Sequence, residues 1–130
     1  MINLRSKKFH GHFEPTAKQE KEWLQRITLY AQQHGSFPQR SQGNFDRHHV
    51  KGRTFAHKKV HLGRWLVIPV EEEFHHVMSN NPLNVTHYKS RYEEAFGTQI
   101  EQFLEMCEQI KNEDGFLPMA DQVIIAAKSL

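Results

Sequence analysis

Seven of the ten histidines crowd between positions 48 and 87: His48 beside His49, then His57 and His61, then His75 beside His76, and finally His87. Imidazole is the commonest metal ligand and the commonest acid–base side chain near neutral pH, so two adjacent pairs in one stretch point to metal-assisted or proton-transfer chemistry. The single cysteine, Cys107, excludes an internal disulfide and any zinc site built on paired thiolates. A metal here must therefore take nitrogen and oxygen ligands. The same region is basic: Arg40, Arg47, Lys51, Arg53, Lys58, Lys59 and Arg64 stand against the one acid Asp46. Within that cluster Arg53, Lys58 and Lys59 are candidates for phosphate contacts, which supply the salt-sensitive part of nucleic-acid affinity.

The elements that must position these residues are legible in outline. FDRHHV and WLVIPV have the composition of two short strands, and the glycines and basic residues between them make a polar excursion. Successive strand residues point to opposite sides, so one of His48 and His49 can bind a metal while the other faces an attacking water. VEEEFHHVM predicts a short helix, with Pro69 at its start, Glu71, Glu72 and Glu73 at its positive end, and Asn80, Asn81 and Pro82 breaking it. Strand, basic loop, strand and short histidine-bearing helix is the order of a ββα-metal site. Upstream, Trp23, Leu24, Ile27, Tyr30 and Ala31 form one apolar stripe; Thr16 caps it with Gln19 as capping-box partner and Gly35 ends it, predicting a helix over about 16–34. Ser36 to Asn44 reads as a surface loop. A helix from Thr86 to Phe96 is expected, then one opened by Thr98 with Glu101 and carrying Ile100, Phe103, Leu104, Cys107 and Ile110; Pro118 to Lys128 completes the chain as a short helix or tail.

DRHHVKGR, WLVIPVEEEFHH and NVTHYKSRYEEAFGTQIEQFLE, in that order, resemble the phage-type Ref family of RecA-dependent HNH nucleases. That family shows a His-His-x-x-Gly strand, an Ile-Pro-Leu-Cys turn, a helix histidine and a later histidine before Tyr-Gly. PTAKQEKEWLQRI is similar to the family's first helix, so the likeness spans about residues 15 to 110. The resemblance implies an HNH-like core over about 45–97, with the N-terminal helix at about 16–34 and C-terminal helices over about 98–128 around it. It also implies His49 as general base and His48, His75 and His87 as metal ligands, with His76 the alternative to His75 by one position. One divalent cation, Mg²⁺ or Mn²⁺ with Zn²⁺ or Ni²⁺ as alternatives, DNA as substrate and a recombinase filament as partner follow from the same likeness. The family's cysteines are replaced by YAQQHGSFPQ and IPVEEEF, so no structural zinc is expected, and the middle Asn of the motif has no equivalent in VHLGRWLVIP.

These departures keep a second class of function open: a catalytically degenerate HNH-like module that binds nucleic acid or inhibits a host protein. A third is a transition-metal binder that uses histidines as ligands only. The simplest reading makes His10, His12, His34 and His57 surface residues, leaves His61 open between structure and chemistry, treats Glu71–Glu73 as a solvated helix start, and puts Trp23, Trp65 and Phe103 in the core. At 130 residues one domain spanning 1–130 is expected. The fold class is α+β, mainly helical, built on the ββα-metal core. A formal charge of +2 makes the chain as a whole no strong polyanion binder, which places any nucleic-acid contact on the basic stretch. No run approaches the roughly 20 apolar residues of a bilayer span, and no secretory h-region follows the basic N-terminus, so a cytoplasmic location is expected.

Overall fold

Thr16 starts the first helix, α1 (Ala17–His34), as its local chemistry requires: its hydroxyl accepts the Gln19 N–H and the Gln19 side chain returns a bond to the Thr16 N–H. The computed structural model describes residues 9–75 and 81–130. Gly35 closes α1 at φ 83°, ψ 168°, outside the left-handed helical region expected there. A side chain could not replace it, because an added Cβ would stand 2.1 Å from the Arg40 carbonyl oxygen.

Strands β1 (Phe45–His49) and β4 (Val67–Glu71) pair antiparallel, with His48 opposite Ile68 and Arg47 opposite Pro69. Every residue of β4 is buried, because α1 packs against it and so does α4 (Gln99–Asp114). That double cover explains its unbroken apolar run. Pro69 lies inside this strand and does not start the next helix, contrary to the expectation above. Glu71 donates its N–H to Phe37 and the Pro69 carbonyl accepts from Phe37, so at these positions the backbone polar groups of β4 face away from β1. The N–H that proline lacks is therefore not a bond of the β1–β4 ladder. The short helix α2 (Glu72–His75) follows, and Glu71 is not part of its solvated start: it is buried, and its carboxylate accepts the Gln39 N–H at 2.6 Å. Glu72 and Glu73 are exposed as expected. His76 lies outside the described residues.

The basic excursion contains a second sheet, a hairpin of β2 (Ala56–His57) and β3 (Val60–His61). Its two-residue turn is Lys58–Lys59, both at positive φ (52° and 65°). Two-residue hairpin turns of this kind favour Asn-Gly, so the sequence carries no signal for it. Helix α3 (Lys89–Phe96) starts later than expected, because the Asn84 side chain accepts the Thr86 and His87 N–H groups and holds 84–88 in turns. Thr98 caps α4, Gly115 ends it in the left-handed conformation, and α5 (Asp121–Lys128) packs back on α4. Trp23, Trp65 and Phe103 are buried in the cluster that joins these elements. The arrangement of helices around small antiparallel sheets is α+β. No helix among the described residues is long and apolar enough to cross a membrane.

A candidate two-histidine site on strand β1

Strand parity divides β1 into two faces. Asp46 and His48 project to one, Phe45, Arg47 and His49 to the other. On the first face the His48 and His75 rings meet edge to face, centroids 4.8 Å apart. Each ring has one nitrogen fixed by an oxygen acceptor: His75 Nδ1 lies 2.8 Å from Asp46 Oδ2, and His48 Nε2 lies 2.8 Å from Gln99 Oε1. A carboxylate and an amide oxygen can only accept, so these nitrogens carry the protons, and in the neutral tautomers the lone pairs fall on His75 Nε2 and His48 Nδ1. That is the condition of a ligating histidine, whose far N–H is ordinarily held by a carboxylate or carbonyl. Burial, and then the neighbouring His75, push His48 down to about 4, against the pull of the Gln99 hydrogen bond. At neutral pH His48 is uncharged, as a metal ligand must be.

The other expected site residues are placed differently. His87 is exposed, in the turn after Asn84. It does not complete a ligand set with the pair: among the described residues no group of three or more His, Cys, Asp or Glu side chains is arranged to hold a metal ion. Two of the three expected ligands therefore meet. His49, the expected base, sits on the opposite face, half-buried, with Nε2 enclosed and lacking a hydrogen-bond partner. Burial and the Arg53 charge push its pKa down, while Glu20 pushes it up.

Glu20 is the hub of that second face. It accepts from Arg64 at 3.0 Å and from Arg53 at 3.1 Å, and Arg64 reaches on to Glu14 at 2.8 Å. Burial alone would raise Glu20, but the Arg64 hydrogen bond and the charges of Arg64 and Arg53 outweigh it and hold the carboxyl low. Two arginines of the basic stretch are thus engaged internally, and a third, Arg40, pairs with Glu105 at 2.6 Å. Arg47, Lys51, Lys58 and Lys59 remain exposed. His61 is structural: fully buried, it donates from Nδ1 to the His10 carbonyl at 2.7 Å and accepts the Arg64 N–H on Nε2 at 3.0 Å. Of the expected surface histidines, His34 pairs with Glu113 at 2.6 Å and His57 lies 3.0 Å from the Ser129 hydroxyl.

Sequence reasoning missed Asp46 and Gln99 as the braces of the two rings. The Asp-x-His alternation on β1 is a usable signal for the first, since i and i+2 share a strand face. Gln99, from a different helix, has none. No family model, curated protein or solved structure matches this chain.

Proposed function

We propose that the chain is a divalent-metal-dependent hydrolase of DNA phosphodiesters, an endonuclease of the HNH kind that its sequence resembles and of phage or prophage origin. The observation that supports it is the paired imidazoles of His48 and His75, each with one nitrogen braced and the other carrying a lone pair. These two would hold the cation, with His87 the third ligand that the resemblance implies. Two imidazoles favour Mn²⁺, Zn²⁺ or Ni²⁺ over Mg²⁺, which prefers oxygen. A bound cation would neutralise charge on the phosphoryl group and leaving oxygen. The chain's own part is to keep His48 neutral by burial, to orient His75 through Asp46, and to hold a neutral imidazole at His49 for proton abstraction. Exposed Lys58 and Lys59, with Arg53 beside Glu20, supply positive charge for the backbone.

A non-cutting nucleic-acid-binding module is the second reading, favoured by one observation: His49 lies on the face of β1 opposite the His48–His75 pair, with its Nε2 enclosed. The two are separated by incubating supercoiled plasmid and single-stranded circular DNA with Mg²⁺ or Mn²⁺, alongside calorimetric Mn²⁺ titration. Nicking lost in His49→Ala, with Mn²⁺ binding lost in His48→Ala and His75→Ala, supports the hydrolase. DNA binding without cleavage by folded wild type under all these conditions refutes it in favour of the module.

A further inference from the structure

Helix α5 leaves two isoleucines wholly or partly outside the core. Val123, Ala126 and Ala127 enter the core, yet Ile125 is 65% exposed and Ile124 is only partly buried. Ile125 stands on the exposed face of α5, between Asp121, Gln122 and Lys128. Across from Ile124 and Ile125, α4 offers Leu104 and Cys107, and the connecting segment offers Leu117, so the cleft between the helices has an apolar floor and a volume of about 840 Å³. Phe116, in the same connection, is 64% exposed.

The rim is acidic. Glu101, Glu105 and Glu108 follow one another at i, i+4 and i+7 along α4, and Asp121 stands at the start of α5, against Lys111 and Lys128 as the cations of the lining. Glu105 is paired with Arg40, whereas neither Glu101 nor Glu108 has an ion-pair partner among the described residues. Arg40 offsets the middle glutamate and Lys111 lies one turn beyond Glu108, which leaves Glu101, Glu108 and Asp121 against Lys111 and Lys128 as the charges the rim presents.

We propose that this groove docks a basic amphipathic helix of a protein partner, its apolar ridge seated between α4 and α5 and its lysines or arginines set against the glutamate row. Groove recognition of a helix needs apolar anchors at i, i+3, i+4 and i+7 and complementary charge on the rim. The same rim repels nucleic acid, so this face is separate from the basic one. It also disfavours a second copy of the chain, since a two-fold contact would bring identical acidic rims together.

The test uses the full chain and a fluorescein-labelled helical peptide with leucine at i, i+3, i+4 and i+7 and lysine elsewhere, with a glutamate-for-lysine peptide as control. Fluorescence anisotropy is read on wild type, Ile125→Asp and the double variant Glu101→Lys/Glu108→Lys. Ile125→Asp is diagnostic because it adds negative charge: mere electrostatic attachment tightens, whereas seating in the groove weakens. The expected result is saturable one-to-one binding of the lysine peptide only, weakened by roughly tenfold or more in each variant. Binding unchanged or tighter in Ile125→Asp overturns the proposal, as does equal binding of the control peptide. A wild-type dimer by sedimentation that Ile125→Asp dissociates assigns the groove to a second copy and overturns it equally.

Discussion

Replacing His61 with phenylalanine keeps a planar ring, somewhat larger than imidazole, and removes two hydrogen bonds, whose loss is expected to cost about 2–4 kcal/mol of folding stability, with any overpacking added to it. The imidazole is fully buried and ties the segment before α1 to the loop after β3, donating to the His10 carbonyl and accepting the Arg64 N–H. An orphaned Arg64 N–H costs about 1–3 kcal/mol, and the lost bond to His10, which is only partly buried and can be rehydrated, adds about 1. Both bonds need the neutral ring, because a proton on Nε2 would confront the Arg64 N–H. Burial holds the folded pKa below the ordinary histidine value, against the pull of the His10 carbonyl. The unfolded chain therefore binds the proton more readily, so this contribution is fully present above the ordinary histidine pKa and is lost as pH falls toward the folded one. Urea unfolding followed through the buried Trp23 and Trp65 measures the difference directly. The wild-type advantage over His61→Phe should be largest near pH 7.5 and shrink at pH 5. A variant within about 0.5 kcal/mol of wild type, or a gap that widens in acid, refutes the assignment, since surface-like substitutions stay within that range.

Two further perturbations probe the basic face. Lys58→Asn with Lys59→Gly places at the hairpin tip the residues that positive φ favours, and should stabilise the chain by about 1–2 kcal/mol while lowering the salt slope of DNA binding by up to about 2, one per lost phosphate contact. Thermal melts and binding isotherms at several salt concentrations check both, and a destabilised variant would contradict the turn geometry. Gly63→Ala sets a Cβ 2.3 Å from the Gly52 oxygen and 2.5 Å from the Arg53 carbonyl carbon, in the loop that leaves β1, so a loss of about 3 kcal/mol or more is expected by urea unfolding; a neutral alanine would mean that the two loops are not in contact.

What could be foreseen from sequence was what local chemistry decides. The Thr16 box, the Trp23–Ile27–Tyr30 stripe and the Thr98 cap are each set within a few residues, and α1 and α4 lie where they predict. Pro69 misled because the preference of proline for a first helical turn is also local, whereas its tolerance in β4 depends on which way the backbone faces relative to Phe37 and β1. The β2–β3 hairpin escaped because Lys-Lys lacks turn chemistry, and its registration is supplied partly by His12, whose N–H reaches the Lys59 carbonyl from outside the hairpin. Glu71, grouped with two solvated glutamates, is drawn inside by the Gln39 N–H. At the candidate site, Asp46 and His48 were readable as one strand face, but Gln99 and the Glu14–Arg64–Glu20–Arg53 chain belong to no sequence-local pattern, being formed by partners dozens of positions apart.

Strand parity then has a consequence for how the histidines can cooperate. Because Asp46 and His48 face α2 and α4 while Arg47 and His49 take the other side, a phosphate held at the His48–His75 pair would lie across the strand from His49, which is followed by the turn from Val50 to Gly52. Gly52 is at φ 84° and an added Cβ there meets nothing within 4 Å, so this turn is open on that side while its carbonyl side packs against Gly63. The Arg53–Glu20 bond that follows is exposed on its arginine side, and such pairs contribute about 0–1 kcal/mol. A phosphate competing for the Arg53 side chain would therefore meet little resistance from Glu20, while the backbone of the segment stays packed against Gly63. On the hydrolase reading, Glu20→Gln, which weakens that tether, leaves metal binding at His48 and His75 untouched and raises DNA affinity; on the module reading it raises affinity equally but no metal enables cleavage. The orientation of His49, rather than the presence of the histidine pair, is thus the feature that separates the two readings.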